Sequence, residues 1–143
     1  MVAKKRQGVF TREKLREHAV GVMRSLGKGH RESVYHRAMI VSLNRAGVFH
    51  RSEVLSPIYF KGELVGVGRC DLVIGNLVVE IKANTLPPRK AVSQLQKYTK
   101  HLGKAERKGY RGLILNFNQK SGTAQTLLLP RKTASKKKKA SSC

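Results

Sequence analysis

The stretch Cys70-Asp-Leu-Val-Ile-Gly-Asn-Leu-Val-Val-Glu-Ile-Lys82 decides the fold of this chain. Two runs rich in β-branched residues flank Gly75-Asn76, a two-residue connection that is typical of a tight β-hairpin. The turn fixes the register, so Asp71 is predicted to lie opposite Glu80. Because side chains alternate between the two faces of a strand, one face of the hairpin is expected to be wholly apolar. Its members are Cys70, Leu72, Ile74, Leu77, Val79 and Ile81.

The other face of the hairpin carries opposed charges, from Arg69, Asp71, Glu80 and Lys82. The Cβ atoms of the two opposed acids are expected about 5 Å apart, where like charges repel. A divalent cation would offset that repulsion, since Mg²⁺ takes oxygen ligands and is commonly held by one or two carboxylates. Lys82 would then stand beside the cation. The alternative is a solvated sheet face on which the acids pair with Arg69 and Lys82.

Charge is the unusual property of the composition. Thirty Lys and Arg oppose eight Asp and Glu in 143 residues, which gives a formal net charge of +22. This balance favours a polyanionic partner. Two cysteines form no disulfide framework, which suits a reducing compartment. We find no membrane span and no secretory signal, so a soluble intracellular protein is expected, compatible with the nucleus or a nucleoprotein particle.

Periodicity and turn signals predict one domain over residues 10–130, between a flexible basic leader (1–9) and a disordered basic tail (131–143). Val34, Ala38, Val41 and Tyr35 are expected to form the buried side of the second helix. The order of elements predicts an α/β fold, with a central mixed sheet between helices. Helices are expected at about 11–26, 31–46 and from Pro87-Pro88 to Gly103, and strands at 48–60, 64–74, 77–82, within 109–118 and at 126–129.

The order of the polar motifs resembles a known family. Gly29-His-Arg-Glu32-Ser-Val-Tyr35 is similar to the signature of the GxxExxY proteins, a branch of the PD-(D/E)XK nuclease superfamily. Further motifs follow in the expected order: Arg69-Cys-Asp71, Glu80-Ile-Lys82, Gln94-Leu-Gln-Lys-Tyr98 and Asn116-Phe-Asn118. The specificity of the resemblance lies in this ordered set, which covers roughly residues 11 to 130.

The resemblance implies a restriction-endonuclease-like core that hydrolyses nucleic-acid phosphodiesters with Mg²⁺ or Mn²⁺. It makes Asp71 and Glu80 metal ligands, with Glu32 completing or supporting the metal site. Lys82 would orient or polarise the attacking water, and Gln94 and Tyr98 would position the scissile phosphate. In the predicted α/β fold, the charged hairpin face should meet the helices that bear Glu32 and Gln94.

Two function classes remain open. The first is a metal-dependent nuclease, most simply of DNA, for which a homodimer is one plausible state. The second is a non-catalytic basic protein that binds or packages nucleic acid on the same scaffold. In either class the cationic side chains would track the phosphate backbone. The residues expected to do so are Lys28, His30, Arg31, Arg69, Arg89, Lys90, Lys97, Lys136, Lys137, Lys138 and Lys139. Lys136 to Lys139 also fit a nuclear-import patch, and the sequence does not separate the two roles.

Overall fold

The computed structural model describes residues 9–85 and 89–131. The leader before residue 9, the predicted helix start at Pro87-Pro88 and the tail from residue 132 onward, with Lys136 to Lys139, lie outside the described residues. The elements are helices α1 (Arg12–Leu26), α2 (Glu32–Arg45) and α3 (Arg89–Glu106), and strands β1 (Arg51–Phe60), β2 (Glu63–Ile74), β3 (Leu77–Lys82), β4 (Arg111–Phe117) and β5 (Ala124–Leu128).

The five strands form one mixed sheet in the order β1-β2-β3-β4-β5. All neighbouring strands are antiparallel except β3 and β4, which run parallel and are joined through α3. The predicted mixed sheet between helices is therefore confirmed. Pro57 lies inside β1 and pairs with Val67. The strand tolerates this proline because β1 is an edge strand, where one side of the backbone needs no ladder partner.

The helices cover both faces of the sheet. Leu72, Val79 and Ile81 pack into a core with α1 and α2, whereas Val78 and Ile114 pack against α3. Glu32 and Gln94 therefore lie on helices at opposite faces, and the prediction that one hairpin face meets both helices is wrong. The connection from β3 to the parallel strand β4 must cross one face of the sheet, and α3 forms that crossover. The apolar side of the hairpin is then covered by α1 and α2.

Helix α2 buries a different stripe from the predicted one. Tyr35, Met39 and Leu43 are fully buried, whereas Val34 and Val41 are 37% and 50% exposed. The expectation that these two valines face the core is wrong. Residues four apart stack on one side of a helix, and this row contains the larger side chains. The ring of Tyr35 stacks on Phe117, with centroids 4.5 Å apart, which fixes the rotation of the helix.

The hairpin has the predicted register next to its turn, with Leu72 opposite Val79 and Ile74 opposite Leu77. Cys70 departs from the prediction, because it packs in the α3-side cluster and not with Leu72. The pairing of β1 with β2 passes over Asp71 at this point, opposite Glu53, whose φ is 53°. Strict alternation fails at such an irregularity. Burial raises the pKa of the Cys70 thiol to about 11, so it stays protonated and serves to pack.

Candidate active site

Asp71 is fixed where the regular pairing of β2 with β3 ends. The last ladder pair is Leu72 with Val79. Beyond it, the Oδ2 atom of Asp71 accepts a hydrogen bond of 2.8 Å from the backbone N–H of Ile81. A side chain thus replaces the backbone bond that a longer hairpin would make. It holds the Asp71 carboxylate against β3, beside Glu80.

The two carboxyl groups interact directly. Burial, a side-chain hydrogen bond with Asp71 and the charge of Asp71 together raise the pKa of Glu80 to about 8. The charge of Glu32 adds to this rise, and the ammonium group of Lys82 opposes it. Without a further cation, Glu80 therefore keeps its proton at neutral pH. A glutamate that stays protonated beside a second acid indicates a site with too little positive charge nearby.

Glu32 and Lys82 face each other at the edge of this pair. Glu32 is the first residue of α2, and its Oε1 atom lies 4.0 Å from the Nζ atom of Lys82. The Glu32 side chain is 49% exposed and that of Lys82 is 23% exposed. The positive end of the helix dipole also favours a carboxylate at this position. Lys82 thus has an acid on α2 as its partner and lies two residues beyond Glu80 on β3.

The loop before Glu32 is held by a hydrogen-bond network centred on Gln119. The Oε1 atom of Gln119 accepts from the backbone N–H of Gly29 at 2.7 Å, and its Nε2 atom donates to the Tyr35 hydroxyl at 3.1 Å. That hydroxyl donates to the carbonyl of Gly27 at 2.7 Å. Gly29 has a φ of 98°, which glycine adopts without strain. The Gly29 and Tyr35 positions of the motif therefore brace the turn that presents Glu32.

Two buried asparagines hold the segment that follows β3. Asn116 is 1% exposed and bonds both the N–H and the carbonyl of Asn84. Asn118 donates to the carbonyl of Thr85 and accepts from the backbone of the turn after β4. The chain leaving Lys82 is therefore tied to β4 through side chains. Their effect is to fix the end of β3, where Glu80 and Lys82 stand.

Gln94 and Tyr98 form a pair of their own on α3. The Nε2 atom of Gln94 donates to the Tyr98 hydroxyl at 2.8 Å. The Tyr98 ring lies directly on Gly68 of β2, where an added Cβ would come within 2.3 Å of the ring. Within residues 9–85 and 89–131, no hydrogen bond or ion pair joins this pair to Asp71, Glu80 or Lys82. The pair stands on the α3 side of the sheet, opposite the helix that carries Glu32.

The basic residues expected to bind nucleic acid are spread around this region. Lys28, His30 and Arg31 lie in the exposed loop between α1 and α2, directly before Glu32. His30 contacts the carbonyl of Leu26 through Nε2, and Lys28 reaches the carbonyl of Lys120. Arg69 pairs with Glu53 at 3.6 Å on an exposed surface, and Arg89, Lys90 and Lys97 are exposed on α3.

Two further residues support the site. Gln119 was missed in the sequence, where its only signal is the position directly after the Asn116-Phe-Asn118 motif. His36, one turn after Glu32 on α2, lies 3.0 Å through Nε2 from the backbone carbonyl of Asp71. It thus links α2 to the strand that carries the first acid. Neither side chain touches the carboxyl pair.

The donor set suits a hard divalent cation in part. Asp71 and Glu80 offer adjacent carboxylate oxygens, the ligand type that Mg²⁺ and Mn²⁺ prefer, and their mutual repulsion would be relieved by a cation. Among the described residues, no group of three His, Cys, Asp or Glu side chains is arranged to hold a metal. Glu32 therefore stands outside a three-ligand cluster, with Lys82 as its neighbour.

Comparison with known proteins agrees with this arrangement. A family model described as the PD-(D/E)XK nuclease superfamily matches residues 11–126, which is most of the chain. The chain belongs to the PD-(D/E)XK nuclease superfamily. No curated protein and no solved structure matches it significantly.

Membership in the PD-(D/E)XK superfamily indicates a nuclease, with nucleic acid as the class of substrate. Nucleases of this superfamily generally use divalent metals, which agrees with the chemistry of the Asp71 and Glu80 pair. The matched region contains all of the sheet except the last residues of β5, together with all three helices. Of the helices that the structure describes, none combines the length and apolar character needed to cross a membrane.

Proposed function

We propose that this protein is a metal-dependent nuclease of the GxxExxY type, which hydrolyses phosphodiester bonds of DNA with Mg²⁺ or Mn²⁺. The observation that carries the proposal is the half-buried pair of Asp71 and Glu80, in which burial first and then the contact with Asp71 raise the pKa of Glu80 to about 8. A protein that only binds phosphates gains nothing from a pair of acids at its surface, because they repel the ligand. A cation held between them removes this disadvantage.

In this proposal Asp71 and Glu80 would hold the ion, and Glu32 would support it from α2. When bound, the divalent ion acidifies water and stabilises negative charge on the phosphate. The hydrogen bond from the Ile81 N–H keeps one Asp71 oxygen in place, so the carboxylate needs little reorganisation when the ion binds. Lys82 would donate a hydrogen bond from its ammonium group to the oxygen of the attacking water and so orient and polarise it.

Gln94 and Tyr98 are proposed to position the substrate backbone. The Gln94 amide and the Tyr98 hydroxyl already bond each other, so one donor group can turn to a phosphate oxygen while the other supports it. The basic residues directly before Glu32 would contact the nucleic-acid backbone from the α2 side of the site. They are Lys28, His30 and Arg31. Binding by such contacts is independent of sequence and weakens steeply with salt.

The proposal is tested by incubating plasmid DNA with the wild-type protein in Mg²⁺, in Mn²⁺ or in EDTA. Cleavage is expected only with a divalent ion. Asp71→Ala and Lys82→Ala should each reduce the cleavage rate at least 100-fold, because each removes a group that acts on the reacting atoms. Glu17→Gln is the control, since this exposed acid of α1 makes no ion pair among the described residues. Cleavage that persists in Asp71→Ala would contradict the proposal.

The second candidate is a basic protein that binds or packages nucleic acid without cleaving it. The net charge of +22 favours this function as much as it favours a nuclease. The described residues contain no three-ligand metal cluster, which also agrees with a protein that binds without cleaving. The same experiment separates the two functions. Salt-sensitive binding without cleavage in Mg²⁺ or Mn²⁺ would assign the chain to this class.

A homodimer, which would bring two sites to the two strands of a duplex, is tested by sedimentation of the free protein.

A further inference from the structure

A basic cavity lies at the other end of the sheet from the two acids. Its volume is about 720 Å³, and it is formed by the C-terminal half of α3, the β2–β3 turn, the start of β4 and the segment after β5. Five cationic side chains line it, and no acid does: Lys100, Lys104, Lys108, Arg111 and Arg131. Leu129, Pro130 and Gly112 form its apolar wall. This composition suits a ligand with negative charge.

Two of these cations are held in place by the sheet. The Nε atom of Arg111 donates to the carbonyl of Leu129 at 2.9 Å, and Lys108 donates to the carbonyl of Gly75 at 3.1 Å. Among the described residues, the two terminal nitrogens of the Arg111 guanidinium have no partner. A guanidinium that is fixed at Nε and free at its terminal nitrogens offers two parallel donors, which match the oxygens of a phosphate.

The acid next to the cavity is already neutralised. Glu106, near the end of α3, accepts two hydrogen bonds from Arg51, at 2.8 and 2.9 Å, and one from the Tyr110 hydroxyl. These partners hold the pKa of Glu106 down at about 2, with the Arg51 hydrogen bonds as the largest cause. Glu106 is thus bound chiefly by Arg51, has a smaller charge interaction with Lys108, and makes no ion pair with Lys100 or Lys104 among the described residues. Their charge remains available to a ligand.

A row of lysines connects the cavity with the candidate active site. Lys90, Lys97 and Lys104 are exposed and follow one another at intervals of seven residues, which keeps them on one side of α3. From Lys90 to Lys104 the helix rises by about 21 Å. Only six residues separate the end of β3 from the start of α3, so Lys90 lies at the active-site end and Lys104 at the cavity end.

We propose that this cavity is a second binding site for the phosphate backbone of nucleic acid, reached along the lysine row of α3. The inference rests on the proposed nuclease function and adds an anchoring surface to it. Leu77 at the start of β3 pairs with Arg111, and Glu80 follows three residues later. The cavity therefore lies at least about 10 Å along the strand from the acids. A nucleic-acid backbone that contacts both the active-site end and the cavity end of α3 would be held at a second point, away from the bond that is cleaved.

The test measures binding in EDTA, where no metal-dependent cleavage occurs. A fluorescent DNA duplex of about 20 base pairs, about 68 Å long, is titrated with protein at several salt concentrations, and anisotropy gives the affinity. Lys100→Gln/Lys104→Gln removes two charges of the cavity. Lys14→Gln/Arg24→Gln removes two exposed charges of α1, on the opposite face, and is the matched control. Circular dichroism confirms that both variants fold.

Each phosphate contact contributes about 0.9 to the slope of log affinity against log salt. The cavity variant should therefore lose about 1.8 from this slope, and about 30-fold in affinity at 0.15 M salt. The control should lose less than about three-fold, because neutralising a charge remote from the bound backbone breaks no phosphate contact. Equal losses in the two variants would overturn the proposal. The proposal would also be overturned if the cavity variant lost the binding of a mononucleotide but kept the duplex affinity and the salt slope of the wild type.

This result is independent of catalysis. If the wild type cleaves plasmid with Mg²⁺ but the two variants bind the duplex equally, the second site is refuted and the nuclease function stands. If no cleavage occurs but only the cavity variant loses salt-dependent binding, the second site stands without the nuclease function.

Discussion

Replacing Glu80 with glutamine should change how the stability of the protein depends on pH. In the folded protein the pKa of Glu80 is raised to about 8, chiefly by burial and then by Asp71, from an ordinary value of 4.5. Between these values the unfolded chain releases the proton and the folded chain keeps it. The free energy of unfolding therefore falls as pH rises through this window. Glutamine keeps the shape of the side chain and cannot ionise.

The expected magnitude follows from the same values. Each pH unit within the window costs about 1.4 kcal/mol of stability, since one pKa unit corresponds to that energy. From pH 5 to pH 7 the Glu80 contribution should thus lower the free energy of unfolding of the wild type by about 2 to 3 kcal/mol. In Glu80→Gln this contribution is absent. The variant should therefore be more stable than the wild type at pH 7 in metal-free buffer. At pH 5 the difference between their free energies of unfolding should be smaller.

The assay is urea unfolding in EDTA at pH 5, 6, 7 and 8, followed by circular dichroism. Glu17→Gln, which removes an exposed acid of α1, serves as the control and should follow the wild type. The series is then repeated with Mn²⁺. Metal binding requires ionised carboxylates, so the wild type should gain more stability from Mn²⁺ at pH 8 than at pH 5. When the Mn²⁺ concentration is a hundred times the dissociation constant, the gain in the free energy of unfolding is about 2.7 kcal/mol.

Two results would refute this reasoning. If Glu80→Gln loses the same stability from pH 5 to pH 7 as the wild type, Glu80 does not hold a proton in the folded protein. If Mn²⁺ stabilises the variant as much as the wild type, the ion binds elsewhere. The Asp71 and Glu80 pair would then not be the metal site.

Two further predictions concern the surroundings of the site. Gly68→Ala adds a Cβ within 2.3 Å of the Tyr98 ring, so the ring must move; we expect a loss of about 1 to 3 kcal/mol in urea unfolding. Cleavage should fall as well, and Gly66→Ala is the control, because its Cβ would meet only an atom at 3.8 Å. Glu106→Gln should cost about 1 kcal/mol at pH 7, since the Arg51 pair is partly exposed. The folded pKa of Glu106 is lowered to about 2, so its stabilisation is present above pH 4.5 and lost towards pH 2; an unchanged difference at pH 2 would contradict this.

The sequence by itself determined the elements that depend on neighbouring residues. Gly75-Asn76 specified a tight turn, and the alternating β-branched runs specified the register next to it, with Leu72 opposite Val79. The helix expected at about 11–26 is α1, which has the N-cap residue Thr11 at one end and the C-cap residue Gly27 at the other. These features follow from backbone preferences and from side-chain alternation, which act within a few residues. The ordered motifs also indicated the superfamily to which the chain belongs.

The tertiary structure decided what depends on contacts between distant segments. It assigned α2 and α3 to opposite faces, because the parallel connection of β3 to β4 uses one face for its crossover. It selected the Tyr35 stripe of α2, because the stacking of Tyr35 on Phe117, a residue remote in sequence, sets the rotation of the helix. Gln119 joins Gly29 across 90 residues of sequence. No local periodicity encodes such a partner, because hydrogen bonds between remote segments depend on how the layers meet.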